Sequence, residues 1–164
     1  MHLTAAVFAL MPMMMRSSKL DLSKVRVISF DITGTLLVHR DPIMETYAAA
    51  AKWARLPNPP SAMELKGPFK QAYKESLLKS PCFRNQPKLF NERDWWSDLI
   101  KKTLHLCGRE YTDQEFARYF RRVYQHYGSL EGYELLPDTL PFLDFLSKYK
   151  PNLVLGITTN TPQR

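Results

Sequence analysis

Asp31 ends a short apolar run and is followed by Ile32, Thr33, Gly34, Thr35, Leu36 and Leu37. A carboxylate held over a glycine-containing turn can attack phosphorus or carbon and form a covalent ester, dividing one difficult displacement into two easier ones. The plainer alternative is that Asp31 opens a turn by bonding to its own backbone, as aspartates commonly do. A second polar group, Thr159 and Asn160 with Thr161 and Pro162, closes a second apolar run that begins at Leu153. These residues could equally serve only the backbone of a strand-end turn.

Both groups need elements to position them. Val25, Val27, Ile28 and Phe30 are β-branched or aromatic and read as a buried strand that delivers Asp31. Leu153, Val154, Leu155, Gly156, Ile157 and Thr158 read as its parallel partner. Between the two, the pattern is helical. Residues 43–56 are Ala-rich, with Tyr47 and Trp53, and stop at Pro57, Asn58, Pro59 and Pro60. Ser61 with Glu64 three residues on is a capping-box start for a helix toward Lys79, with Gly67 and Pro68 as an interruption or kink. Polar residues and prolines make 80–88 a loop. Trp95, Trp96, Leu99, Ile100, Thr103 and Leu104 then give 91–107 a helical period, which Gly108 ends. Thr112 and Glu115 cap a further helix reaching Tyr127 and Gly128. Pro137, Asp138 and Thr139 open the last one, with Leu140, Leu143, Phe145 and Leu146 inward.

A parallel pair requires a crossover, and this one is far longer than a single helix needs. The expected fold class is therefore α/β with an inserted all-helical unit. The core takes residues 20–40 and 133–164, the insertion 41–132, and a leader 1–19 stays outside the fold. Open α/β sheets bind ligands beyond the carboxyl ends of their strands, which is where the insertion should sit.

Composition sets the wider bounds. The 164 residues, 45% hydrophobic and 12% aromatic, suffice for one cored domain and are not those of a disordered chain. With 23 Lys and Arg against 16 Asp and Glu the formal charge is +7, enough to attract phosphorylated molecules, nucleic acid or anionic surfaces. The excess is scattered, however. Lys101, Lys102, Arg118, Arg121 and Arg122 sit on helical stretches where a solvated face explains them. No recognisable nucleic-acid module accompanies them, so no nucleic-acid partner is expected. Cys82 and Cys107 have neither disulfide-scaffold nor zinc-knuckle spacing. No apolar run approaches the ~18 residues of a membrane span. Residues 1–15 are apolar and free of acids, followed by Arg16, Ser17, Ser18 and Lys19. A secretory signal, a mitochondrial presequence and an untargeted leader with later starts at Met11, Met13, Met14 or Met15 all remain open, with a cytoplasmic chain as the default.

The run Phe30, Asp31, Ile32, Thr33, Gly34, Thr35, Leu36, Leu37 resembles the first motif of the haloacid dehalogenase superfamily of hydrolases, and Gly156, Ile157, Thr158, Thr159, Asn160 resembles its second. The long helical spacing is that of members with a helical cap after the first motif, and the resemblance implies a partial three-layer Rossmann-like core beneath that cap. The resemblance implies Asp31 as nucleophile and magnesium ligand, with the Thr33 backbone carbonyl as a second ligand. It implies Thr159 as a hydrogen-bond donor to the transferring phosphoryl group, and Gly34, Thr35 and Asn160 as substrate-binding neighbours. Donors and a cation are what an in-line phosphoryl displacement needs to offset its charge.

Two departures bear on activity. Phosphatases of this superfamily usually carry a second aspartate two residues after the nucleophile as general acid and base, where this chain has Thr33. A threonine cannot protonate a leaving alkoxide near neutral pH, so ordinary monoester hydrolysis should be impaired. The sequence also ends at Arg164, four residues past Asn160, before the family's lysine motif and acidic magnesium motif. A truncated product with weakened metal binding is the expectation.

Other side chains have quieter explanations. His39, His105 and His126 lack metal-ligand spacing and read as helix-surface or loop histidines. Trp53, Trp95 and Trp96 read as core of the helical unit, and Asp41 and Glu45 could line its entrance. Three functions follow: a magnesium-dependent, phosphatase-like hydrolase acting on a small phosphorylated molecule, a non-catalytic binding or regulatory protein, or, last, a nucleic-acid binder. Oligomeric state is not legible.

Overall fold

The structure is a computed structural model that describes residues 24–80 and 92–159. The leader 1–19, most of the 80–88 loop, and Asn160 lie outside the described residues. In chain order come β1 (Val27–Phe30), β2 (Leu37–His39), α1 (Ile43–Trp53), α2 (Ala62–Lys79), α3 (Glu92–Leu106), α4 (Asp113–His126), a 3-10 turn (Leu130–Gly132), β3 (Tyr133–Leu135), α5 (Thr139–Tyr149) and β4 (Val154–Ile157).

The two apolar runs pair as expected. β1 and β4 are parallel, with Val27 opposite Val154 and Phe30 opposite Ile157. The ladder extends one step at each end, Val154 N–H donating to Arg26 O at 2.9 Å and Thr158 N–H to Phe30 O at 2.8 Å. The chain is thus α/β, a partial Rossmann-like core with a helical block in its crossover. A second, two-stranded sheet was not anticipated: β2 pairs antiparallel with β3, Leu37 opposite Leu135 and His39 opposite Tyr133. Each strand has three residues, too few for a periodic signal, and their pairing spans the whole helical block.

That block holds the core. Tyr47, Ala51, Leu65, Ala72, Trp95, Leu99, Ile100, Tyr119 and Val123 are buried together where α1 to α4 meet. Both capping boxes form, Ser61 with Glu64 and Thr112 with Glu115, each side chain bonding the other's backbone N–H. The serine N–H and hydroxyl hold the Glu64 carboxyl below its ordinary range, helped by Arg109, and Thr112 does the same for Glu115. Gly108 ends α3 at φ +66°, the left-handed conformation glycine adopts without a Cβ clash.

Several expectations are corrected. Gly67 and Pro68 do not interrupt α2, which runs unbroken through Pro68. Proline has no N–H for the carbonyl four residues back, and here that carbonyl, Glu64 O, instead accepts from Cys107 Sγ at 3.5 Å. A donor from the turn after α3 thus replaces the one that the sequence removes. Pro68→Ala is expected to stabilise the fold by about 1–3 kcal/mol by restoring the helical donor; a melting temperature at or below that of the parent would show that the ring's packing outweighs the bond.

The strands are less buried than their composition implies. Val27 and Val154 are 60% and 61% exposed, because no described residue covers their face, whereas Phe30 on the opposite face packs edge-on against Phe142. On α5 the inward stripe is Thr139, Leu143 and Leu146, not Leu140 and Phe145, which are exposed. Among the described residues the helix meets a sheet of two strands, and none of them covers its flanking apolar side chains. Trp53 is 63% exposed and carries the Arg122 guanidinium over its ring at 5.8 Å, so it is not core, whereas Trp95 is buried and Trp96 partly so.

Candidate functional site

The register of β1 and β4 fixes the site. Continuing the pairing one residue past Phe30 and Ile157 sets Asp31 level with Thr158, so Asp31 and Thr159 leave the sheet at the same carboxyl edge. Both are exposed, as are Thr33, Gly34 and Thr35. Alongside them, Ser29 Oγ and Thr158 Oγ1 share a hydrogen bond of 2.5 Å across the strands.

The turn after Asp31 is organised around one carbonyl. Ile32 O accepts from the N–H groups of Thr35 (3.2 Å), Leu36 (2.9 Å) and Leu37 (3.1 Å), while Gly34 N–H donates to Leu37 O at 2.7 Å. Gly34 sits at φ +85°, where a side chain would be strained although the space beside it is open. The glycine therefore supplies backbone conformation and not clearance. The network uses the N–H groups of residues 34–37 and leaves those of Ile32 and Thr33, next to the carboxylate, out of it. Backbone N–H groups beside a nucleophile can stabilise a developing phosphoryl charge.

The structure brings Asp31, Thr33, Gly34, Thr35 and Thr159 to one edge; Asn160 lies outside the described residues. Among the described residues no group of three or more His, Cys, Asp or Glu side chains could hold a metal ion. The resemblance implies the Asp31 carboxylate and the Thr33 carbonyl as ligands of a hard cation, and both residues lie at this edge. Magnesium keeps several waters and takes phosphate oxygens as ligands, so two protein oxygens fit a shared site and not a closed cage.

Beyond the turn, β2 and β3 tie the helical block to the site. Arg40 N–H donates to Gly132 O at 3.1 Å and its guanidinium to Tyr133 O at 2.9 Å. His39, read as a surface or loop histidine, is instead half-buried on β2, its ring 5.2 Å from that of Tyr133 and 5.5 Å from that of Tyr127. Its Nδ1 is buried with no hydrogen-bond partner among the described residues. The His126 ring also lies against Tyr127, 5.0 Å between centroids, and approaches Glu131 at 3.3 Å, and Arg122 bonds the same carboxylate at 2.8 Å. His105, in contrast, is exposed. Burial pushes the Tyr127 phenol up to about 12.

Desolvation, then the neighbouring His126, hold His39 below the ordinary value of 6.5. A depressed histidine pKa means that the unfolded chain takes the proton first. Stability is therefore full above about pH 6.5 and falls as pH drops through the window below it. His39→Phe is expected to flatten the melting-temperature profile between about pH 7.5 and 5.5; an unchanged slope would assign the acid sensitivity to other groups.

No protein-family profile matches the chain. It is similar to haloacid dehalogenase-like hydrolase domain-containing protein 3 of Homo sapiens, 36% identical over 85 residues that cover 52% of this chain and 33% of that protein. The protein of the same name from Xenopus laevis is 30% identical over 122 residues, covering 73% and 48%; that from Xenopus tropicalis is 28% identical over 120 residues, covering 73% and 61%. The matches thus span from a third to three-fifths of the length of these relatives. Among solved structures, a predicted phosphoglycolate phosphatase from Haemophilus somnus 129pt superposes with a TM-score of 0.47 at 19% identity, covering 85% of this chain and 53% of that one.

Proposed function

We propose that this chain, which is haloacid dehalogenase-like, captures the phosphoryl group of a small phosphorylated molecule on Asp31. The observation that carries the reading is the shared edge of Asp31 and Thr159, set by the parallel register of β1 and β4 and followed by the Ile32-centred turn. An Asp31 carboxylate oxygen attacks phosphorus as the bond to the leaving oxygen breaks, and that oxygen departs with the electron pair. The Thr159 hydroxyl and the Ile32 and Thr33 N–H groups donate to the phosphoryl oxygens as charge develops. Asp31 and the Thr33 carbonyl would hold a magnesium ion, which supplies positive charge against the phosphate. Water then attacks phosphorus in the aspartyl phosphate and releases inorganic phosphate.

Thr33 stands where a general acid would serve, so the leaving oxygen takes its proton from water. Donors with good leaving groups are favoured, and release from Asp31 is slow because no side chain at residue 33 can activate water. The helical unit, residues 41–132, acts as a cap, consistent with its insertion between β2 and β3 immediately after the Asp31 turn. Residues 20–40 and 133–164 supply the core.

The second reading is a non-catalytic binding or regulatory protein in which the cap is kept for ligand or partner contact and the chemistry at the strand ends is lost; Thr33 is the residue that favours it. Fluorine NMR with beryllium fluoride and magnesium separates the two. A bound signal that needs both magnesium and the Asp31 carboxylate supports covalent capture. A folded chain with no bound signal turns the assignment to the non-catalytic class.

A further inference from the structure

Asp31 and the turn that follows it lie between Phe30 and Leu36, and both ends of that segment meet the same helix. At one end, the Phe30 ring packs edge-on against Phe142, with ring centroids 6.1 Å apart. At the other, Thr139 Oγ1 donates to Leu36 O at 2.6 Å, across 103 residues of sequence. Thr139 is 4% exposed, so this hydroxyl is settled inside the protein. Thr139 and Phe142 are three residues apart on α5 and therefore neighbours on one face.

The hydroxyl is not used as a helix cap. The N-cap residue is Asp138, and its side chain makes no capping bond. Thr139, the first residue of α5, instead sends its own N–H to Leu136 O at 3.0 Å and its hydroxyl across to Leu36 O. Leu36 O also accepts from Leu136 N–H at 3.0 Å, so the point where the turn becomes β2 is held both from the residue after β3 and from α5.

We infer that Thr139 is a positioning residue for Asp31. Through Leu36 it fixes the far end of the turn while Phe142 fixes the near end, so that one face of α5 sets the direction in which the carboxylate leaves β1. The inference rests on the reading of Asp31 as nucleophile. A purely structural bond would anchor α5 and do nothing at the turn.

The test compares Thr139→Val, which keeps the shape and removes the hydroxyl, with Thr139→Ser, which keeps the hydroxyl. Two readouts are taken on the full chain: the affinity for beryllium fluoride with magnesium, and hydrogen exchange at the Gly34 and Leu37 amides, which are bonded within the turn. Thr139→Val should weaken beryllium fluoride binding roughly five- to tenfold and speed exchange at both amides, with Thr139→Ser restoring each to within about twofold. A lower melting temperature with both readouts unchanged overturns the inference. If the parent chain binds no beryllium fluoride, the nucleophile reading fails separately, and the exchange comparison still decides whether Thr139 holds the turn. Should Thr139→Val not fold, Phe142→Leu at a half-exposed helix position carries the same expectation: faster exchange at Gly34 supports the two-ended clamp, and unchanged exchange overturns it.

Discussion

Asp31→Asn is expected to slow phosphoryl capture from acetyl phosphate or p-nitrophenyl phosphate at least about a thousandfold, because an amide oxygen cannot serve as the nucleophile that forms the covalent intermediate. Its melting temperature should stay within about 2 °C of the parent, since Asp31 is exposed and surface substitutions cost little. The pairing of outcomes is what makes the result informative. Loss of capture with stability retained locates the chemistry at the carboxylate; equal loss of both would mean that Asp31 mainly holds the turn. Both donors have leaving groups that need no general acid, so Thr33 does not mask the effect.

Leu99→Ala should have the largest effect on stability. Leu99 is fully buried on α3, within the cluster shared by α1 to α4. Removing its branched end leaves a cavity the neighbours fill only in part, and such substitutions cost about 2–5 kcal/mol. For a chain of this size that corresponds to a drop of roughly 5–15 °C. The core of the described residues lies in the helical unit and not around the β1–β4 pair, where Leu146 and Thr139 are the buried residues of α5. The substitution should therefore melt the helical unit and its β2–β3 tether together. A shift under about 2 °C would mean that this cluster does not limit stability.

What could be read in advance follows the range of the interactions. The capping boxes at Ser61 and Thr112 and the stop at Gly108 act within a few residues, and the sequence spells them out. β1 and β4 were legible because β-branched runs bounded by polar turns have few other uses. The β2–β3 ladder was not, since its two strands are three residues each and their pairing closes a loop of nearly a hundred. The continuity of α2 through Pro68 was hidden for the same reason: the compensating Cys107 thiol comes from the turn after α3, distant in sequence. The burial of His39 has no signal in the sequence, because a lone histidine gives no sign of the two tyrosines beside it, both distant along the chain. At the site, the turn after Asp31 and the edge position of Thr159 agree with the motif spacing. The tie from Thr139 to Leu36 had no signal in the sequence beyond a threonine at a helix start.

The central claim is that Asp31 takes a phosphoryl group covalently, and borohydride trapping tests it most directly. The chain is incubated with magnesium and acetyl phosphate, treated with sodium borohydride, digested and analysed by mass spectrometry. Reduction of an aspartyl phosphate yields homoserine, so the account predicts homoserine at position 31, dependent on magnesium and on the phosphate donor. Unmodified aspartate at position 31 in a folded chain, under conditions where a known phosphoaspartate protein is trapped, would contradict it.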